Sequence, residues 1–102
     1  MTNNQVADRF WEQHPKDGHS RSMFYEDGKL FSYGTCILQR VNGYVIGNGT
    51  RYSQTTSGHQ SSASIYKADL VLHEVSRGVT DLKSYAVSLF NRLSRILYNQ
   101  EV

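Results

Sequence analysis

The chain has 102 residues, 38% of them hydrophobic, and eleven Lys and Arg against nine Asp and Glu give a formal charge of +2. That length accommodates one domain and excludes two independent cores. The charge is too small to signal nucleic acid by itself, which shows as a clearly basic patch or stripe, and no apolar run approaches the roughly 20 residues of a membrane span.

The N-terminus, MTNNQVADRFWEQH, has neither the basic start nor the apolar core of a signal peptide, so a cytoplasmic protein is expected. The single cysteine, Cys36, excludes an intrachain disulfide and fits a reducing compartment. Asn3 or Asn4 caps a short helix running to about Gln13, with Val6, Phe10 and Trp11 on its apolar side. Pro15 ends it by pushing the preceding residue out of the α region. Residues 1–14 thus read as an N-terminal helical arm, and Lys16 to Arg21 as a polar linker to the main body.

Ser22 to Glu26 and Lys29 to Tyr33 flank Asp27-Gly28; Thr35 to Val41 and Tyr44 to Gly47 flank Asn42-Gly43. Both pairs suit a type I′ turn, which needs positive φ at both central residues. A further pair, Asn48-Gly49, is expected to turn the chain again into Thr50 to Ser53. Three such turns predict an antiparallel β-meander of about four strands over residues 22–54. In its middle, Cys36-Ile37-Leu38 is apolar on both faces, which suggests a central strand covered from both sides.

Ser57 is expected to cap a helix over residues 57–75, on the spacing of Ala63, Tyr66, Leu70 and His73 or Glu74. The rival is a loop to Ser64 followed by a strand at Leu70 to Val75. Ser76-Arg77-Gly78 breaks the chain, and Thr80 or Asp81 then caps a helix within residues 80–100. Leu82, Tyr85, Ala86, Leu89, Phe90, Leu93, Ile96 and Leu97 follow the i, i+3, i+4, i+7 pattern, with Lys83, Arg92 and Arg95 opposite. This helix is expected to lie across one face of the meander. The fold class is α+β, an antiparallel sheet with helices packed on it.

The metal-ligating residues, His14, His19, His59, His73 and Cys36, show no finger-like or H-E-x-x-H spacing, and no metal or cofactor is expected. Ser53, Thr55, Thr56, Ser57 and His59 put hydroxyls and a base within a few residues. A small hydrolase centred on His59 would also need a third group to orient the imidazole and donors for an oxyanion. Nothing identifies those, and the more economical role for the hydroxyls is bonding backbone amides at strand ends and helix starts. The T-T-S-G segment beside Arg51 or Arg40 is also the best-placed anion site. Arg77, Lys83, Arg92 and Arg95 give the region from Arg77 to Gln100 a local cationic excess, the basis of an alternative reading as a nucleic-acid-binding module. A tyrosine-rich small chain without a catalytic set fits a protein-binding surface, and a homodimer would supplement its lean core.

Phe31-Ser32-Tyr33-Gly34-Thr35, the pair Ile37-Leu38 before Arg40, a short hairpin, and Arg51-Tyr52-Ser53-x-Thr55-Thr56-Ser57-x-His59 form one pattern. It resembles a loosely defined family of small phage- and prophage-encoded proteins of unknown function. The match covers about 30 residues and is most specific over Tyr52 to His59. The resemblance implies an accessory protein of a mobile element, acting non-enzymatically on a host protein or ribonucleoprotein, with inhibition of host defence systems such as CRISPR effectors as one expected activity. It nominates Tyr33, Arg40, Tyr52, Ser53, Thr55, Thr56 and His59, in one of two roles: locking the sheet to the following helix, or presenting a polar pocket. Arg51, beside the T-T-S-G segment, completes the candidate binding residues.

Overall fold

The computed structural model describes residues 1–98 as an α+β fold. Its sheet has six strands in sequence order: β1 (Gly18–His19), β2 (Met23–Glu26), β3 (Lys29–Ser32), β4 (Thr35–Val41), β5 (Tyr44–Asn48) and β6 (Leu70–Leu72). The first five are antiparallel and β6 pairs parallel with β5. The helices are α1 (Asn3–Trp11), α2 (Gln54–Ser62) and α3 (Leu82–Tyr98).

The antiparallel core of the predicted meander is present, with two more strands than expected. The β2–β3 and β4–β5 turns are Asp27-Gly28 and Asn42-Gly43, each with positive φ at both residues. The third turn is Tyr33-Gly34, not Asn48-Gly49. Asn48 ends β5 and is fully buried, its side chain donating to the Cys36 carbonyl at 3.1 Å. Gly49 is needed for close approach: a Cβ there would sit 2.8 Å from Val71 Cγ1 and 3.0 Å from His73 Cε1. No strand forms at residues 50–53.

The N-terminal arm is part of the core. Thr2, not Asn3 or Asn4, caps α1, because Gln5 three residues on completes a capping box. Val6, Ala7 and Phe10 are buried against Met23, Tyr25, Leu30, Leu38 and Val45 on one sheet face. The supposed linker is tied down, with Gly18 and His19 pairing with Tyr25 and Phe24. The Arg9 guanidinium also donates to the carbonyls of Lys16 and Asp17.

Between Leu30 and Phe31 the β3–β4 register shifts, so that Leu30 faces Leu38 and Phe31 faces Cys36, leaving Ile37 as the extra residue. Ile37 and Leu38 join the first core, while Cys36 and Phe31 join a second cluster on the opposite face with Leu72, Val75 and Leu82. The central strand is therefore covered from both sides.

The helix expected over 57–75 divides. It begins at Gln54 under a Ser53 cap and stops at Ser62, because Ser64 takes the left-handed conformation (φ 56°). A 3₁₀ turn, Ile65–Lys67, follows, and Leu70–Leu72 then adds to the free edge of β5. The rival reading placed a strand at Leu70 to Val75, and a strand does start at Leu70 but ends at Leu72. Ala63 is buried whereas Tyr66 and Leu70 are exposed, so their helical spacing never formed one face.

The last helix lies across the sheet for only half its length. Gln39 of β4 fixes its start, with its amide oxygen accepting from the Leu82 amide at 2.6 Å and its amide nitrogen donating to Asp81 at 3.0 Å. That bond from Gln39 is the main reason the Asp81 carboxyl is held below the usual range. Leu82 is buried and Tyr85, Ala86 and Leu89 pack on the second cluster. Beyond them Phe90, Leu93, Ile96 and Leu97 are 48–69% exposed, contrary to the expected full packing of the leucine row. The extents, 55 × 29 × 20 Å, and a radius of gyration of 14.6 Å reflect this overhang, against about 13 Å for a compact chain of 100 residues.

Candidate functional site

The segment from Gln54 to Ser62 folds into α2, which has no apolar stripe. It buries Thr56, His59 and Gln60 instead, at the spacing of a helix face. The Gln60 side-chain amide donates to the carbonyls of Asn48 and Thr50 at 2.7 and 2.9 Å. His59 lies between two hydroxyls, with Nδ1 2.7 Å from Ser32 Oγ and Nε2 3.1 Å from Ser22 Oγ. Burial lowers its pKa below the ordinary histidine value, so the neutral ring donates to one serine and accepts from the other. His59 therefore ties α2 to β3 and to the residue preceding β2. Ser32 is 1% exposed, and a serine in third place supplies no charge to stabilise an imidazolium.

Beside this lock a cavity of about 350 Å³ opens to solvent, lined by Ser32, Tyr33, Thr35, Tyr52, Ser53, Thr55, Thr56, Arg77 and Gly78. Five of the eight candidate residues, Tyr33, Tyr52, Ser53, Thr55 and Thr56, thus line one cavity, and His59 bonds Ser32 of the same lining. Ser53 Oγ accepts from the Thr56 amide at 3.2 Å, so α2 starts at the cavity. The Tyr52 hydroxyl donates to the Val75 carbonyl and accepts from Asn48 Nδ2, which fixes the ring. Arg77 lies over that ring at 5.6 Å and donates to the Tyr52 carbonyl. In the sequence Arg77 stands out only as part of the cationic region from Arg77 to Gln100; no sequence signal ties it to residues 52–56.

The remaining nominees go elsewhere. Arg40 sits 5.0 Å over the Phe10 ring and donates to the Phe10 carbonyl at 3.1 Å, satisfying the C-terminal end of α1. Arg51 is exposed and outside the cavity lining. The four cations of the alternative reading do not all share one surface. Arg77 belongs to the cavity, and on α3 Lys83 and Arg92 fall about 180° apart, at about 100° per residue. The Cys36 thiol is pushed up to about 12 by burial and donates to the Leu38 carbonyl, which makes it inert. Among the described residues no three His, Cys, Asp or Glu side chains converge on one point, and no helix is long and apolar enough to cross a membrane.

Tyr33 is the unusual residue of the site. It forms the wall between this cavity and a neighbouring one of about 210 Å³ lined by residues 19–24 and Gly34. Its side chain is 64% exposed, and its ring centroid lies 5.4 Å from that of His59. The chain matches no protein-family model, no curated protein and no solved structure.

Proposed function

We propose that this protein acts without catalysis, by occupying a surface of another macromolecule with the Tyr33 ridge and the polar cavity beside it. The mobile-element setting implied by the motif makes a host protein or ribonucleoprotein the partner class, and blocking a host defence effector the activity that goes with it. The observation that carries the binding role is a comparison of three turns in one sheet. The first turn residue has φ 51° at Asp27, 51° at Asn42 and 48° at Tyr33. Asp and Asn suit that conformation, whereas a bulky side chain there is a genuine outlier. Strain of this kind is retained where a side chain is needed for something other than folding. Tyr33 projects into solvent between two concavities, with hydroxyl donors and one guanidinium alongside. That is the mixed aromatic and arginine composition of an interface centre.

Tyr33→Asn tests this directly. It should relax the turn and stabilise the fold by about 1 kcal/mol, while a tagged variant loses the partner that the parent chain retains from host extract. Tyr33→Phe should keep the partner. Equal retention by parent and Asn variant, both folded, would refute the role of the ridge. Salt separates the nucleic-acid alternative: phosphate contacts make affinity fall steeply with salt, and an aromatic-anchored interface changes little.

A further inference from the structure

Leu82, Ala86, Leu89, Phe90, Leu93, Ile96 and Leu97 all lie within about 120° of arc on α3, at about 3.6 residues per turn. The stripe that seats the first half of the helix on the sheet thus continues, at the same azimuth, past the edge of the body. Phe90, Leu93, Ile96 and Leu97 are respectively 69%, 48%, 55% and 65% exposed. A helical segment of about nine residues is marginal alone in water, and this one carries its apolar face uncovered.

We propose that the overhanging half of α3 packs antiparallel on the same half of a second copy, about a two-fold axis. Three observations select that occupant. The row Leu82, Ala86, Leu89, Leu93 and Ile96 alternates at spacings of four and three, the period of a helix-pair seam; its first three members seat on the sheet, and Leu93 and Ile96 are left for a partner helix. The flanks of the seam are unlike: Phe90 and Leu97 line one side and Arg92 the other. Antiparallel pairing of identical helices sets like flank against like flank, so the apolar flank meets itself; parallel pairing would set Phe90 against a region bearing Arg92. The third observation is area. The four exposed side chains offer about 500 Å² per copy, so two copies bury about 1,000 Å², the threshold for a specific interface.

Sedimentation of the full chain over a concentration series tests this, with Leu93→Glu and Ile96→Glu as variants and Trp11 fluorescence, reporting from the other sheet face, as the check that the body is folded. A reversible dimer in the parent, weakened at least about 100-fold by either substitution with Trp11 unchanged, is the expected result. If either variant disturbs Trp11, Leu97→Glu, further from the body, is the replacement. Association should hold or tighten as salt rises, because Arg92 faces Arg92 across the pair. A parent that stays monomeric, a dimer indifferent to all three substitutions, or a dimer that loosens as salt rises would each overturn the proposal. So would capture by α3 of an acidic amphipathic peptide while the parent alone remains monomeric.

Discussion

The two faces of the sheet are closed by different means. On the first, α1 contributes an apolar stripe and α2 a polar one, and the layer is complete: Val6, Ala7, Phe10, Leu30, Leu38 and Ala63 are all 1% exposed or less. On the second, a single helix covers part of the sheet and then leaves it. The first face is a finished core; the second carries its apolar row out into solvent. Substitutions should therefore register in proportion to which face they touch.

The largest effect belongs to Phe10. It packs edge-on against Trp11 and Tyr25 and carries Arg40 over its ring, so Phe10→Ala should cost about 3–5 kcal/mol in denaturant unfolding. A loss under about 1 kcal/mol would mean that α1 is the loosely attached arm its sequence suggested.

Next comes the polar seam between α2 and the sheet. His59→Ala leaves Ser32 buried without its partner, an expected loss of about 1–3 kcal/mol. This seam also carries a pH signature. Because the folded pKa of His59 is lowered, the unfolded chain binds a proton that the folded site refuses. Stability from this group is fully present above the ordinary histidine value of about 6.5. It declines as pH falls from there through the lowered folded value. His59→Gln should flatten the decline, and an unchanged pH profile would show that the ring is not the titrating group. Ser53→Ala, which removes only the cap of α2, should cost about 0.5–2 kcal/mol.

What the sequence revealed follows from which forces leave a pattern in it. The pairs Asp27-Gly28 and Asn42-Gly43 located two hairpins, because turn geometry there is encoded in residue type. The third hairpin was hidden for the same reason: Tyr33 breaks the preference that marks a turn. The α2 boundary was missed because His59 and Gln60 dock through hydrogen bonds, to which hydrophobic periodicity is blind. Three-residue β6 is defined by the free edge it joins, and its partner β5 lies more than twenty residues away. At the site, residues 52–56 were found because they are contiguous; Arg77 arrives from a separate loop. On α3 the sequence marked the apolar face correctly, but periodicity says which side of a helix avoids water and not what covers it.

The smallest expected effect is the most informative about that last distinction. Leu93 stands in the same stripe as Leu82, yet it is 48% exposed while Leu82 is fully buried. Leu82→Ala should cost about 2–5 kcal/mol, as for any enclosed leucine. Leu93→Ala should change the unfolding free energy of dilute protein by no more than about 0.5 kcal/mol, the range for substitutions outside the core. As concentration rises a difference should open, because a contact that exists only between copies stabilises by mass action. Equal costs at Leu82 and Leu93 in dilute protein would place the distal half of α3 against its own sheet, and the asymmetry between the two faces would disappear.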